Sequence, residues 1–320
     1  MTMNPDSNGA CMACGARVLE LVEELTSAEI VDGWRREDIA VGADAAIECR
    51  ARDLTAALPP RIRWIRCTRC GLQMASPAVL WTATTYPSDQ SYPVRWEFLR
   101  CLDDLGPAPL DILELGCGSG EFLALAAVRG HRASGIDFSE TAVASARAKG
   151  LSAFEGGLDD LPRYLGEDAR FDAVVLFQVI EHVADPHGLL TALARWVRPG
   201  GRLFLSCPGP RRFTRLIREQ QTGGSDFWDH PPHHVLRWTL PALRAFFDRR
   251  GWRVLSAEEE PLSLVAAGSH VGVARAIHRR QLQHPLRRRV AIAGAWLDLL
   301  RAPAERRAGM SLYLSAMNQS

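Results

Sequence analysis

The chain has 320 residues, of which 47% are hydrophobic and 23% charged, with a formal net charge of +1. This is enough chain for one large globular domain or two small ones. The near-neutral balance gives no global field for nucleic acid or an acidic membrane, and no apolar run approaches the roughly 20 residues that cross a bilayer.

The N-terminal segment MTMNPDSNGACMACGARV has no basic stretch followed by an apolar one, so it does not read as a secretory signal. A reducing, cytoplasmic setting is expected, in which the eight cysteines serve as thiols or metal ligands rather than disulfides. Cys11-Met-Ala-Cys14-Gly and Cys67-Thr-Arg-Cys70-Gly share one form. Two intervening residues let both sulfurs of a pair face one tetrahedral ion, and the following glycine permits a tight turn whose N–H groups point at the thiolates. Cys11, Cys14, Cys67 and Cys70 are therefore the candidate ligands of a closed structural zinc site. Residues 16–66 read as an insertion between the knuckles. RVLELVEELTSAEIVDGWRRE has apolar residues near every third or fourth position and predicts a helix, and IRWIRC predicts a strand. Cys49 and Cys101 stand alone and read as packed thiols.

YPSDQSYPVRWEFLRCLDDLG leads to a buried strand, LDILELG, whose apolar residues are Leu110, Ile112, Leu113 and Leu115. Gly116, Gly118 and Gly120 follow at once, then a helix, GEFLALAAVRG, a second strand closing on Asp137, and a second helix ending at Gly150. Glycines here allow a tight bend and close approach of backbone to a ligand. Asp137, at the carboxyl end of its strand, is placed to accept hydrogen bonds from two ribose hydroxyls. A dinucleotide-binding loop more often reads G-x-G-x-x-G, with pyrophosphate on the helix N-terminus. The third glycine comes one residue earlier here, and Glu114 stands two residues before the first. That pattern suits a ligand with a cationic amino-acid end, such as S-adenosylmethionine.

LELGCGSGEFL followed by GIDFSE resembles the first two motifs of class I S-adenosylmethionine-dependent methyltransferases. FDAVVLFQVIEHVADP (171–186), LLTALARWVRPGGRLFLSCPGP (189–210), HHVLRWTLPALRAFFDRRGWRV (233–254) and the terminal GMSLYLSAMN resemble the family's later elements in order. The resemblance implies a doubly wound α/β fold, with a Rossmann-like seven-stranded sheet over residues 86–320 and a small zinc-binding module over residues 1–85. It also implies roles for individual residues. The backbone of Gly116, Cys117, Gly118 and Gly120 would line the methionine part of the cofactor, with Glu114 near its ammonium. Asp137 would hold the ribose and Phe138 would lie beside the adenine. The third-strand turn at Gly156, Gly157 and Leu158 would border the adenine, with Asp159 the nearest acid. Gln178 would face the methyl donor. Tyr86 and Tyr92 are candidates for a lid and Arg95 for the cofactor carboxylate; packing of this connector is the other reading.

Methyl transfer needs an aligned nucleophile and, for a hydroxyl or carbon acid, a base. Histidine suits that role near neutral pH. DFWDHPPHHVLRWT (226–239) follows the fifth strand and should reach the acceptor side. Its end resembles the acid/His-His-x-x-x-x-Thr segment of methyltransferases that act on sugars and related small molecules, with His233 in place of that family's glutamate. The N-terminal cysteines are similar to the zinc module of bacterial sugar C-methyltransferases. His234 is the first candidate base, then His182, then His233; Asp229 and His230 read equally as turn residues. Residues 274–309, with Arg287–Arg289, predict one or two helices inserted before the last strand, a solvated face or a cover over the substrate.

The expected function is methyl transfer from S-adenosylmethionine to oxygen or carbon of a small molecule, first a sugar or sugar nucleotide, with structural zinc. Two other readings were weighed: an RNA or protein methyltransferase with a zinc ribbon, and a non-catalytic S-adenosylmethionine-binding protein. The near-neutral charge and FQVIEH, in place of the Asn/Asp-Pro-Pro-aromatic motif of base amino-methylation, stand against nucleic acid.

Overall fold

The structure is a computed structural model that describes residues 9–41, 54–80, 94–107, 109–212, 229–263, 284–301 and 308–319. Two sheets organise these residues. The larger is built on β4 (Asp111–Leu115), β5 (Arg132–Asp137), β6 (Ser152–Glu155), β7 (Phe171–Phe177) and β8 (Val197–Pro208), all parallel. It is completed by β10 (Trp252–Pro261) and β11 (Ala308–Asn318), where β11 runs antiparallel to both β8 and β10. The order is β10-β11-β8-β7-β4-β5-β6. β7 is a nearly continuous apolar run, and four of the five residues of β4 are buried, as expected where helices cover both faces of the sheet. From β4 the chain steps out to β6, then returns to β7 on the opposite side of β4. Ligand crevices form beyond the carboxyl ends of strands at such a reversal, and the glycine bend lies there. The expected doubly wound seven-stranded sheet is present.

The connecting helices are α2 (Trp96–Leu105), α3 (Glu121–Val128), α4 (Glu140–Ala148), α5 (Leu161–Leu165), α6 (Pro186–Ala194) and α7 (Leu240–Asp248). Side chains of Ser139, Asp185 and Thr239 cap α4, α6 and α7 by accepting an exposed N–H of the first turn. Of the predicted insertion at 274–309, the described part is one helix, α8 (Pro285–Arg301).

The smaller sheet has the order β1-β2-β3-β9, from β1 (Leu19–Thr26), β2 (Arg61–Cys67), β3 (Gln73–Ser76) and β9 (Leu236–Arg237). Its fourth strand comes from the histidine-rich loop, so residues 1–85 share a sheet with the far half of the chain. One buried cluster runs from Trp34 and Trp64 through the cysteines to Trp238, Leu205 and Leu314.

The helix expected across residues 17–37 is corrected in its first half. Leu19–Thr26 is a strand, and α1 (Ser27–Val41) begins only after it. Cross-strand charge decides this. Glu20 lies opposite Arg66 and Glu24 opposite Arg63, and both form ion pairs with the arginine-rich β2. The helix then starts on a capping box: Glu29 N–H donates to Thr26 Oγ1 at 3.2 Å, and Thr26 N–H donates to Glu29 Oε2 at 2.8 Å.

Gly135 on β5 has no room for a side chain. A Cβ there would sit 2.5 Å from Cys117 Cβ, 2.7 Å from its Sγ and 2.9 Å from Leu123 Cδ1. Gly135→Ala is expected to lower stability by about 1–3 kcal/mol, read from the midpoint of urea unfolding; an unchanged midpoint would contradict this packing.

Candidate active site

The bend after β4 is held by left-handed glycines: Gly116, Gly118 and Gly120 have φ of 75°, 51° and 83°. A Cβ on Gly116 would meet Val179 Cγ2 at 2.8 Å, and one on Gly120 would meet Leu151 Cδ1 at 2.6 Å. Four N–H groups of this bend are already spent. Those of Gly116 and Cys117 donate to the Ile136 carbonyl, that of Gly118 to Asp137 Oδ2 at 2.8 Å, and that of Gly120 to the Cys117 carbonyl. An anion-binding loop needs free N–H groups, so this bend is poorly suited to a pyrophosphate. The Cys117 side chain is buried with Leu123, Val143, Ala146 and Ala153, so only its backbone borders the crevice.

Glu114 is buried at the end of β4, and its Oε2 has no hydrogen-bond partner among the described residues. Burial, with Asp137 and Glu121 nearby, raises it well above the ordinary carboxylate range. A buried acid with an unpaired oxygen is what a cationic ligand group would complete. Asp137 pins the bend through both oxygens, accepting from Gly118 N–H and Ser139 N–H; a carboxylate has further lone pairs for ribose hydroxyls. The Phe138 ring is largely exposed against Gly157. Leu158 opens a single 3-10 turn whose Asp160 folds back onto Gly157 N–H, while Asp159 points to solvent.

At the end of β7, Gln178 has φ of 57°, the one positive value for a non-glycine among the described residues. Its Nε2 donates to Glu97 Oε1 (3.1 Å), Ser206 Oγ (3.1 Å) and Ser311 Oγ (3.2 Å). Glu97 is buried on α2 and also accepts from both serine hydroxyls, so one carboxylate joins the ends of β7, β8 and β11. Arg95 lies 3.8 Å from Glu97. Tyr86, Tyr92 and Cys49 fall outside the described residues. Cys101 is a packed thiol, raised by burial.

The three candidate histidines come together, with ring centroids 4.5–4.9 Å apart. His182 ends a 3-10 turn after β7, and His233 and His234 lie in the loop before β9. Val235 N–H donates to the Glu181 carbonyl, which ties the two segments together. His234 Nδ1 donates to Asp229 Oδ1 at 2.9 Å, leaving Nε2 as the lone-pair nitrogen. Burial alone would raise Asp229, but Arg212 (3.0 Å) and Arg237 (3.3 Å) hold it well below the carboxylate range. It is therefore an ionised orienting group. His182 Nδ1 donates to the His233 carbonyl, and burial together with His234 pushes His182 down to about 3. Glu181 is wholly buried, neither of its oxygens has a hydrogen-bond partner among the described residues, and burial pushes it up to about 8.

The cysteines also converge. Cys11 Sγ lies 3.6 Å from Cys70 Sγ and Cys14 Sγ 3.6 Å from Cys67 Sγ, with all four sulfurs within 4.8 Å of one another. A zinc–sulfur bond of 2.3 Å gives tetrahedral edges of about 3.8 Å, so the set fits a tetrahedral ion. The two knuckles repeat one turn: Gly15 N–H donates to the Cys11 carbonyl and Gly71 N–H to the Cys67 carbonyl, both at 2.8 Å. Backbone N–H groups of Ala13 and Cys14 face Cys11 Sγ, and that of Leu72 faces Cys70 Sγ. This cluster is joined to the histidine loop. Thr239 Oγ1 donates to the Cys70 carbonyl at 2.5 Å, and the Arg237 guanidinium lies 3.7 Å over the Trp64 ring. Trp64 Nε1 donates to His230 Nδ1 at 3.0 Å.

Sequence reasoning missed Glu97, which looked like any helix-face acid, and treated Asp229 as a turn residue. The missed signal for Asp229 was the spacing Asp-x-x-x-x-His on a proline-bent loop.

Glu114 yields a pH test. Its folded-state pKa is raised, so between its unfolded and folded values folding takes up a proton, and stability falls as pH rises. Glu114→Gln removes this loss. The variant is expected to melt higher than the parent at neutral pH without cofactor, and to match it near about pH 3, where both states are protonated.

A family model for the methyltransferase domain matches residues 88–257, more than half of the chain. The ubiquinone biosynthesis O-methyltransferase of Thiobacillus denitrificans is 37% identical over 128 residues, covering 38% of this chain and 53% of that protein. That of Dechloromonas aromatica is 38% identical over 101 residues, covering 30% and 43%. The chain spans about half the length of the curated relatives it matches. A methyltransferase from Geobacter sulfurreducens, crystallised with S-adenosyl-L-homocysteine, covers 69% of this chain and 90% of its own, at 21% identity and a TM-score of 0.43. The chain belongs to the methyltransferase-domain family.

Proposed function

We propose that this enzyme methylates a hydroxyl of a small molecule with His234 as general base, a carbon acid being the other acceptor the same base would serve. The observation that carries the reading is the Asp229–His234 pair, beside His182 at the crevice end of β7. Two of the relatives are named O-methyltransferases of a small molecule, which supports oxygen as the acceptor atom. A sugar or sugar nucleotide is the acceptor class we infer, on the resemblance of residues 229–239 to sugar methyltransferases. Small-molecule chemistry also accords with the near-neutral charge.

Bound S-adenosylmethionine supplies a methyl group already activated on a sulfonium. The chain's residues do the rest. Glu114 would meet the ammonium, the glycine bend would line the methionine part, Asp137 would accept from the ribose and Phe138 would border the adenine. Gln178, fixed by Glu97, would orient the reacting end, with Arg95 toward the cofactor carboxylate. His234 Nε2 would take the acceptor's proton as its oxygen gains the methyl group and the donor leaves as the thioether. Asp229 keeps Nδ1–H in place and stabilises the imidazolium that forms. Glu181, buried and protonated near neutral pH, faces the same histidines and limits charge there.

Cys11, Cys14, Cys67 and Cys70 would hold one zinc ion. Four thiolates leave no open position, so its part is structural: it staples the smaller sheet, of which β9 is one strand. On this reading residues 1–85 and 86–320 are a zinc module and a catalytic domain that share one interface.

His234→Ala should bind S-adenosylmethionine with unchanged heat in calorimetry while turnover of a labelled methyl group, screened over sugar nucleotides and phenols, falls about 10²–10⁴-fold. Undiminished turnover removes His234 from the mechanism. Metal analysis of freshly purified, reduced protein should find about one zinc per chain, with four sulfur neighbours in X-ray absorption; protein free of metal would overturn the staple.

A further inference from the structure

We infer that His182, His233 and His234 form a second metal site, for a divalent ion that prefers imidazole, such as Zn²⁺, Co²⁺ or Ni²⁺. One ring nitrogen from each of the three lies within 4.8 Å of the others. Two of the rings are already set as ligands. His182 Nδ1–H is tied to the His233 carbonyl and His234 Nδ1–H to the Asp229 carboxylate, so the lone pair of each is on Nε2. Metal-bound histidines are held in just this way, one nitrogen on the ion and the other donating to a carbonyl or carboxylate, which fixes the tautomer and raises basicity. The second shell is rigid, because Asp229 is itself clamped by Arg212 and Arg237. A fourth donor stands beside the trio: Glu181 Oε1 lies 3.9 Å from His182 Nε2, and neither of its oxygens has a partner among the described residues. Three imidazoles with a carboxylate suit a zinc-like ion.

Nitrogens bound tetrahedrally at about 2.1 Å lie about 3.4 Å apart. The rings must therefore close by about an ångström around the ion. His233 and His234 already lie as a stacked ring pair, 4.5 Å between centroids. The site differs in kind from the four thiolates: its ligands are imidazoles and it carries no thiolate.

Metal on His234 Nε2 and uptake of the acceptor proton by the same atom exclude one another. A bound ion should therefore block methyl transfer. That corollary rests on the general-base reading above; occupancy of the site does not.

The test titrates Co²⁺ into the full chain as purified, with its cysteine site already filled. One further equivalent is expected, giving weak d–d absorption without sulfur-to-metal charge transfer. His182→Gln and His233→Gln should each weaken it at least tenfold while retaining the native melting profile and the heat of S-adenosylmethionine binding. The proposal is overturned if no further equivalent binds, if thiolate charge-transfer bands grow instead, or if the two variants bind Co²⁺ like the parent. Should either variant fail to fold, Glu181→Gln serves as a second probe, expected to weaken Co²⁺ severalfold; parental affinity in that variant counts against the site. Binding that leaves turnover untouched would confirm the site and reject His234 as base. Absent binding with turnover lost in His234→Ala would do the reverse.

Discussion

A carboxylate buried between two guanidinium groups holds the histidine loop in position. Taking Asp229 out of water is costly, and the cost is offset only because Arg212 and Arg237 both reach it and His234 donates to it. Arg237 cannot be moved independently. It lies over Trp64 on β2, donates to the Asp229 carbonyl, and belongs to β9, which pairs with β3. The smaller sheet is closed at one end by the four cysteines. The cysteine cluster, the N-terminal sheet and the histidine loop thus form one mechanical unit, joined through Arg237 and Asp229.

The glycine bend works by a complementary principle. Four of its amide donors are consumed within the fold, by Ile136, Asp137 and Cys117, while beside it one oxygen of the buried Glu114 has no hydrogen-bond partner among the described residues. A phosphate site of similar outline would present free N–H groups and the positive end of a helix. Here the local field favours a cation, which separates the methyl donor of this family from a dinucleotide on physical grounds. The acid at Glu97 has a related role on the other side of the switch point. By accepting three hydrogen bonds it secures Gln178 in a backbone conformation that non-glycine residues rarely adopt.

Much of the larger sheet was legible because its strands are short apolar runs bounded by glycine turns, and because parallel strands covered on both faces carry that signature without help from distant residues. The four cysteines were legible for a related reason: C-x-x-C-G is a local geometry, and two copies imply a shared ion. The first half of the 17–37 segment was misread, because Leu19–Thr26 has a helical spacing of apolar residues that is outweighed by charge pairing with a strand some forty residues later. The Thr26–Glu29 capping box marked the true helix start within the sequence itself.

What the sequence determined by itself was everything that depends on near neighbours: the strand–bend–helix order, the left-handed glycines at 116, 118 and 120, the twin knuckles, and the presence of an acid at 114 and another at 137. What only the tertiary structure decided was which of these meet: Asp229 with His234, Glu97 with Gln178, β3 with β9, and three histidines from two separate loops. The reason is that a buried ion pair or a shared hydrogen bond is chosen by which groups are left unsatisfied when the core closes. That outcome depends on contacts spanning as many as 214 positions between Glu97 and Ser311 and 238 between Met12 and Arg250, and no local pattern encodes it.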